Sequence, residues 1–351
     1  MAGVKYILLT RHALGEKIAH DIYNDQGAKI IPQHTVINKC ILKRLAEFDI
    51  QRIPIYDHAE KEDGKTVRDE HSLALIKQSY VHNVREIKLL LNDIAKGKTT
   101  DKSKIDEVSM MIYSKINRFG SILSSLNQLR DVDEYTYTHS LNVAIYSLLL
   151  AKWLKLGDSQ AKDIVEAGIL HDLGKCKISP DLLNKRGRLL NEEFELVKKH
   201  TTIGFDLSKA IPGIKDEVRR AILLHHERAN GNGYPFGVSG QKINIYSKII
   251  AVADVYDALT SERAYKKKKT PFETFKEFEK IGFEQFDPKV MLTFMTNIYN
   301  YYLGVKVRLN TGQIAEVIYI NPYNPSRPTI KLDDQILDLA GYEHYDIEEM
   351  I

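Results

Sequence analysis

The chain has 351 residues, 43% of them hydrophobic and 28% charged, and a formal net charge of +3. This length predicts two or three domains, and the composition is globular and excludes a largely disordered chain. The small net charge gives no support for a nucleic-acid partner. The two cysteines are too few for a disulfide framework and favour a reducing compartment.

The sequence contains no segment with the roughly 20 apolar residues that a membrane-spanning helix needs. The most apolar segment, Val143 to Leu154, is interrupted by Tyr146, Ser147 and Lys152. The amino-terminal residues also lack an apolar run of signal-peptide length. We therefore expect a cytoplasmic protein with no membrane span.

Residues 1–57 are expected to form a small α+β domain, with a turn at Asn24 to Gly27. The expected elements are strands at 5–10, 28–37 and 52–56 and a helix at 39–48. This part has no phosphate-binding glycine loop. We expect it to have an interaction or regulatory role, with protein partners, and to support a homodimer.

Residues 58–130 are assigned to a linker and connector helices. The polar stretch 58–71 is expected to be the linker. Two helices are then expected, from Ser72 to Lys96 and from Lys102 to Leu129, because their apolar positions fit packing against a partner or the next domain.

Residues 131–303 are predicted to be helical almost throughout, with caps and glycines at the helix ends. The predicted helices run from Asp131 to Leu156, Ala161 to Leu173, Asn191 to Ile211, Lys215 to His226 and Ile243 to Leu259. From Gly304 the pattern changes to short strands, so residues 304–351 are predicted to form a small β appendage. The predicted fold class is mainly α, with a small α+β domain before the helical domain and a β appendage after it.

The helical region contains nitrogen and oxygen donors that recur about 25 to 32 residues apart. No cysteine joins them at ligand spacing. The seven donors are His139, His171, Asp172, His200, His225, His226 and Asp254. Several helices that each supply one or two such donors predict a single buried metal site. Imidazole and carboxylate without thiolate suit Fe, Mn or Zn.

A single helical histidine is more often a core or surface residue than a metal ligand. Here, however, Ile164, Gly168 and His171 share one helical face, so the imidazole points toward the core. Asp254 lies inside an apolar run, where a carboxylate is costly unless it is charge-paired or metal-bound. These coincidences favour the metal site. A hydroxide held between two metals is a strong nucleophile at neutral pH, and phosphodiesters are its usual target.

Three motifs follow one another in this region. They are HDLGK at 171–175, HHERANGNGYP at 225–235 and DVYDALTSERAY at 254–265. An HD pair alone is a weak signal, whereas these motifs in this order are highly specific. From about Asp131 to Tyr302, roughly half the chain, the sequence resembles the HD-GYP subgroup of the HD superfamily of metal phosphohydrolases.

The resemblance implies hydrolysis of the bacterial second messenger cyclic di-GMP by a metal-bridging hydroxide. It implies that the seven donors are metal ligands, that Asp172 bridges the metals, and that the metals are Fe or Mn, with Zn, Ni, Co or Mg as alternatives. Lys175, Arg263 and Lys266 would hold substrate phosphates. Asp172 and Lys175 would be the catalytic residues, and Tyr234 would contact substrate or metal-bound groups.

The expected number of metals depends on one position. Family members with three metals carry a glutamate four residues before the first histidine of the set, and here that residue is Tyr135. A phenol with a pKa near 10 is a weak ligand. We therefore expect two metals, and the linear dinucleotide pGpG rather than GMP as the main product.

Two alternatives stay open. One is hydrolysis of a related cyclic dinucleotide such as cyclic GMP-AMP, which the sequence separates poorly because phosphate contacts do not read the base. The other is a catalytically weak cyclic-dinucleotide sensor or interaction module, against which the intact ligand set and Lys175 argue.

Glu227 is expected to orient a ligand histidine rather than to bind metal.

Overall fold

The computed structural model describes most of the chain. The described residues are 3–9, 13, 16–23, 29–33, 35, 37, 41–42, 45–46, 48, 50–57, 65–98, 102–114, 135–185, 187–261, 269–321, 323–333 and 335–351, without the side chains of 65–77, 135, 281, 283 and 300.

The chain divides into two compact units. One unit combines Met1–Leu73 with Tyr299–Ile351, and the other is Ala74–Ile298. Every described strand belongs to the first unit. The regular elements described in the second unit are all helices, and this unit contains all seven predicted metal ligands. The predicted fold class, mainly α with small β-containing parts at both ends, is confirmed.

The first unit begins with two small antiparallel sheets. Strand β1 (Gly3–Leu8) pairs with β4 (Arg52–Asp57), and β2 (Ile22–Tyr23) pairs with β3 (Lys29–Ile31). The hydrophobic core of this part includes Ala13, Ile18, Ile22, Ile30, Ile31, Ile37, Leu45, Ile53 and Ile55. These apolar residues from the strands and from the segments between them form a core because packing removes their side chains from water.

The same unit ends in a five-stranded antiparallel sheet with the strand order β8-β7-β6-β5-β9. Its strands are β5 (Lys306–Leu309), β6 (Ile314–Tyr319), β7 (Thr329–Leu332), β8 (Gln335–Asp338) and β9 (Ile347–Met350). Ala315 and Val317 alternate with more exposed neighbours, as expected for a sheet with one buried face. The Arg52 Nη1–H donates a hydrogen bond to the Leu303 carbonyl at 2.7 Å, so the two segments of this unit contact each other.

The helices follow one another in chain order. They are α1 (Lys65–Ala95), α2 (Lys102–Ser114), α3 (Tyr135–Trp153), α4 (Asp158–Leu170), α5 (Pro180–Leu183), α6 (Asn191–Lys198), α7 (His200–Lys209), α8 (Asp216–Leu224), α9 (Ile245–Thr260), α10 (Pro271–Gln285) and α11 (Pro288–Ile298). Short 3₁₀ helices lie at Leu173–Lys177, Gly240–Lys242, Tyr299–Tyr302 and Leu339–Gly341.

Helices α3 and α4 approach each other very closely. A Cβ on Gly168 of α4 would lie only 2.6 Å from the Cα of Ala144 on α3, so only glycine fits there. The core of the second unit contains Tyr146, Tyr256 and Phe294, whose rings meet edge to face with centroids 4.9 to 6.5 Å apart. Edge-to-face aromatic packing of this kind fixes the helices against one another.

Several predicted boundaries differ from the structure. Helix α1 begins at Lys65, inside the predicted linker, and the predicted helix from Asn191 to Ile211 is two helices separated at Lys199. Strands β2, β8 and β9 were not predicted. The predicted turn at Asn24 to Gly27 and residues 115–129 of the second connector helix lie outside the described residues. Among the described helices, none combines the length and apolarity required to cross a membrane.

Candidate metal centre

Five parts of the helical unit bring the seven predicted ligands together. His139 lies on α3, His171 and Asp172 follow α4, His200 begins α7, His225 and His226 follow α8, and Asp254 lies on α9. They form two sets in which the potential ligand atoms lie within 4.8 Å of one another. One set is Asp172, His200, His225 and His226, and the other is His139, His171 and Asp254. All are buried except His226, which is partly exposed.

The carboxylate of Asp172 lies between the two sets. Its Oδ2 is 3.6 Å from His139 Nε2 and 3.3 Å from His171 Nε2. Its Oδ1 is 3.5 Å from His200 Nε2. Each oxygen therefore faces a different set of donors, which is the arrangement that a carboxylate needs to contact two ions.

Three of the histidines are oriented by the backbone of their own helical turn. The Nδ1–H of His171, His200 and His225 donates to the carbonyl three residues earlier, at 2.8, 2.7 and 2.9 Å respectively. A hydrogen bond at Nδ1 fixes the tautomer and leaves the Nε2 lone pair available for a metal. This pattern repeats because each histidine lies at a helix end, where its ring reaches back to the preceding turn.

His139 is oriented differently, by a side chain that the sequence analysis missed. Its Nδ1–H donates to Asp257 Oδ2 at 2.7 Å, and its Nε2 lies 3.1 Å from Asp254 Oδ1. Asp257 is completely buried on α9, one helical turn after Asp254. The reasoning applied to Asp254, that a carboxylate inside an apolar run needs a partner, could have identified Asp257 as well.

A glycine determines where His200 lies. A Cβ on Gly174 would lie 1.9 Å from the His200 carbonyl oxygen and 2.7 Å from the backbone nitrogen of Gly204. The 3₁₀ turn that follows Asp172 therefore packs directly on the first turn of α7. The distance between Asp172 and His200 depends on this close backbone approach.

Burial and neighbouring charges shift the pKa values of the titratable groups in the site, and the direction differs from group to group. Burial lowers the pKa of His200 to about 4 against the opposing effect of Asp172, so this imidazole is neutral at pH 7. Burial also acts to lower the pKa of His139, but its hydrogen bonds to Asp254 and Asp257 raise it to about 9. Although burial alone raises the pKa of Asp172, the charges of His171 and Lys175 hold it well below its usual range.

The residues present fit a divalent metal. His171 Nε2 and Asp172 Oδ1 are buried and have no hydrogen-bond partner among the described residues. A buried polar atom without a partner costs roughly 1 to 3 kcal/mol, so such atoms need another explanation. Coordination to a metal would satisfy both atoms, and a donor set of imidazoles and carboxylates suits divalent transition metals.

Two of the four predicted substrate contacts can be placed. The Lys175 ammonium lies 2.6 Å from Asp172 Oδ2 and is therefore at the edge of the cluster. The Tyr234 ring stacks on His226 with a centroid distance of 4.6 Å. Burial and the charges of Asp254 and Asp172 raise the pKa of Tyr234, so its hydroxyl stays protonated. Arg263 and Lys266 lie outside the described residues.

Glu227 supports the loop that carries Tyr234. Its Oε1 accepts the Phe236 backbone N–H at 2.7 Å, and a Cβ on Gly233 would lie 2.4 Å from the Glu227 Cα. Its Oε2 is buried and has no hydrogen-bond partner among the described residues, so the expected bond to a ligand histidine is not present there. The glutamate instead holds the GYP loop against the end of α8, because the loop needs a buried acceptor for its N–H.

The chain is similar to several known proteins. Residues 141–290 match the family model described as HD domain. The cyclic di-GMP phosphodiesterase PA4108 of Pseudomonas aeruginosa is 32% identical over 261 residues, which are 72% of this chain and 63% of that protein. The 3'3'-cGAMP-specific phosphodiesterase 3 of Vibrio cholerae is 34% identical over 151 residues, which are 43% of this chain and 31% of that protein.

A solved structure shares the fold. Bd1817, described as an HDG"Y"P protein from Bdellovibrio bacteriovorus, superposes with a TM-score of 0.50 at 18% identity and covers 83% of this chain and 98% of its own. The helical unit is therefore an HD domain. More specifically, the chain is similar to proteins named as cyclic di-GMP phosphodiesterases, and its three motifs resemble those of the HD-GYP family. It spans less than two thirds of the length of the two curated relatives.

Proposed function

We propose that the protein hydrolyses a phosphodiester bond of cyclic di-GMP. The observation that carries the proposal is the buried cluster of five histidines and two aspartates in which Asp172 faces both sets of donors. The likeness to a protein named as a cyclic di-GMP phosphodiesterase supports the choice of substrate.

The proposed metal ligands are the seven clustered side chains. When bound, divalent metals supply Lewis acidity toward the phosphoryl oxygens and an activated water for phosphodiester hydrolysis. The histidines would contribute their Nε2 lone pairs, because Nδ1 of His171, His200 and His225 is already engaged with backbone carbonyls. The two carboxylates, Asp172 and Asp254, would offset the positive charge of the metals in a buried site.

Substrate binding is assigned to cations and to one phenol at the edge of the cluster. Lys175 has its ammonium 2.6 Å from Asp172, within reach of an anion bound at the cluster. Because Tyr234 stays protonated, it can donate a hydrogen bond to a phosphate oxygen at any working pH. We assign Arg263 and Lys266 to phosphate binding on the sequence motif alone.

We propose two metals, of which Fe or Mn suits the donor set, and pGpG as the main product. The division of the ligands into two sets, each within 4.8 Å, supports two ions. The side chain of Tyr135 lies outside the described residues, so the inference against a third ion rests on its weak basicity as a ligand. Metal analysis of the loaded protein, together with chromatography of the products, tests both parts: three ions per chain, or complete conversion to GMP, would contradict them.

Hydrolysis of 3'3'-cGAMP is the second candidate, favoured by the likeness to a phosphodiesterase named as specific for it. The deciding experiment loads the protein with Mn or Fe without oxygen and compares initial rates on cyclic di-GMP and 3'3'-cGAMP. Release of pGpG at the higher rate supports the first candidate, whereas faster cleavage of the hybrid ring supports the second. Asp172→Asn is the matched control, since it removes one charge and keeps the side-chain shape.

Tight binding without any linear product, in protein whose metal content is complete, would contradict both enzymatic candidates. The outcome would then favour a sensor. The regulatory role, protein partners and homodimer expected of residues 1–57 stay predictions. Light scattering on the eluting protein tests the dimer, because it measures the mass of the particle directly.

A further inference from the structure

One metal ligand is attached to a longer hydrogen-bond chain than the others. His171, His200 and His225 donate to backbone carbonyls of their own turns, so their orientation is built into the helices. His139 instead depends on Asp257, a side chain from another helix. Anything that moves this carboxylate changes the direction of the His139 ring.

Asp257 is itself held by side chains. Its Oδ1 accepts a hydrogen bond from Asn142 Nδ2 at 2.8 Å and another from the Ser261 hydroxyl at 3.0 Å. The other end of the same amide, Asn142 Oδ1, accepts a hydrogen bond from the Tyr80 hydroxyl at 2.7 Å. Tyr80, Asn142, Asp257 and His139 are all buried.

The direction of this chain is fixed by chemistry. A carboxylate only accepts, so the amide must turn its NH₂ group toward Asp257 and its oxygen toward Tyr80. A flipped Asn142 would place its oxygen against the carboxylate and its NH₂ against the phenol. Each bond therefore reinforces the next, and buried networks of this kind couple more strongly than exposed ones.

Tyr80 belongs to α1, the connector helix that precedes the HD domain in the chain. It lies on the buried face of α1 with Val84, Ile87 and Leu91, at the spacing of one helical stripe. One residue of axial shift along a helix is about 1.5 Å. Such a shift would stretch a 2.7 Å hydrogen bond beyond bonding distance unless Asn142 followed.

We propose that Tyr80, Asn142 and Asp257 are positioning residues through which α1 controls the orientation of His139 and thereby the metal affinity of the site. The proposal rests on the metal site described above, but not on its substrate. Residues that orient metal-binding histidines typically change metal affinity about 10- to 100-fold when mutated. Tyr80, two bonds further away, should have a smaller effect in the same direction.

The test measures metal binding, not hydrolysis. Tyr80→Phe keeps the ring and removes only the hydroxyl. We expect a roughly 3- to 10-fold weaker affinity for Mn(II), by chelator competition, and a changed visible absorption spectrum of the Co(II)-loaded protein. The matched control is Tyr246→Phe, which also removes a buried hydroxyl, but one that donates to Asp163 Oδ2 at 3.1 Å instead of to Asn142. The control should lose similar stability without a change in metal affinity.

A double-mutant cycle separates a relay from two independent effects. In an Asp257→Asn background, Tyr80→Phe should no longer change the affinity for Mn(II), because the link to His139 is already altered. Equal metal affinities for Tyr80→Phe and Tyr246→Phe would overturn the proposal, as would full additivity in the cycle. If the protein binds metal as expected but hydrolyses neither dinucleotide, the proposed function fails while the relay remains. A wild-type chain that binds no divalent ion overturns both.

Discussion

Replacing Gly174 by alanine should remove metal from the site without changing a single proposed ligand. The new Cβ would lie 1.9 Å from the His200 carbonyl oxygen, whereas ordinary van der Waals contact begins at 3.4 Å. The first turn of α7 must therefore retreat by about 1.5 Å, while metal–ligand distances tolerate about 0.2 Å. His200 would move away from Asp172, and one set of donors would lose a ligand.

The same substitution should also destabilise the metal-free protein. Overpacking typically costs about 1 to 3 kcal/mol, which lowers the Tm of a unit of this size by about 2 to 12 °C. We would measure bound metal by mass spectrometry after loading and dialysis, and Tm by circular dichroism without metal. Gly157→Ala is the control, because a Cβ there would meet only Gln160 Oε1, at 3.9 Å. A Gly174→Ala protein with the wild-type metal content and Tm would refute the reasoning.

Three further predictions concern charged side chains. Asp172→Asn should lower metal content and abolish turnover because one carboxylate faces both sets of donors, and a fully loaded, active variant would contradict this. Lys175→Met should keep its metals but lose about 10- to 150-fold in kcat/KM, the equivalent of one charge-assisted phosphate contact; loss of metal would instead place this lysine in the metal site. Burial raises the pKa of Glu166 to about 7 from 4.5 while Lys102 opposes the rise. Because the pKa of this carboxyl is higher in the folded state, folding becomes less favourable as pH rises from about 4.5 to about 7. Lys102→Met should therefore lower Tm more at pH 8 than at pH 5.5. The control is Lys98→Met, which removes a cation from an exposed ion pair and should lower Tm little at either pH. If Lys102→Met lowered Tm equally at pH 5.5 and pH 8, the result would contradict the proposed role of the buried pair.

The helical domain was predictable because its signals are local. Helical periodicity, capping residues and the HDLGK and GYP motifs occur within short segments, and the fold class inferred from them is confirmed. The start of α1 was predicted wrongly because the sequence KTVRDEH is polar apart from Val67. Lysine, arginine and glutamate are nevertheless good helix formers, so a polar segment can continue an exposed helix.

The parts that could not be predicted depend on which helices are neighbours. Asp257 contacts His139 across 118 residues of sequence, and Tyr80 contacts Asn142 across 62. The hydrophobic periodicity of a single segment does not indicate which distant residue a side chain will contact. The contact between Arg52 and Leu303, 251 residues apart, leaves no pattern in the sequence either, so residues 1–57 and 304–351 were predicted as separate parts.

That contact bears on how the protein can be shortened. Since Tyr299–Ile351 belongs to the same unit as Met1–Leu73, the HD domain is inserted between two segments of one unit. The chain crosses between the units twice, once within α1 and once after Ile298. A truncation that stops at Ile298 would remove the carbonyl that receives the Arg52 hydrogen bond. A fragment meant to report on the metal site alone should therefore lose both terminal segments together, because removing either one leaves half of a folding unit behind.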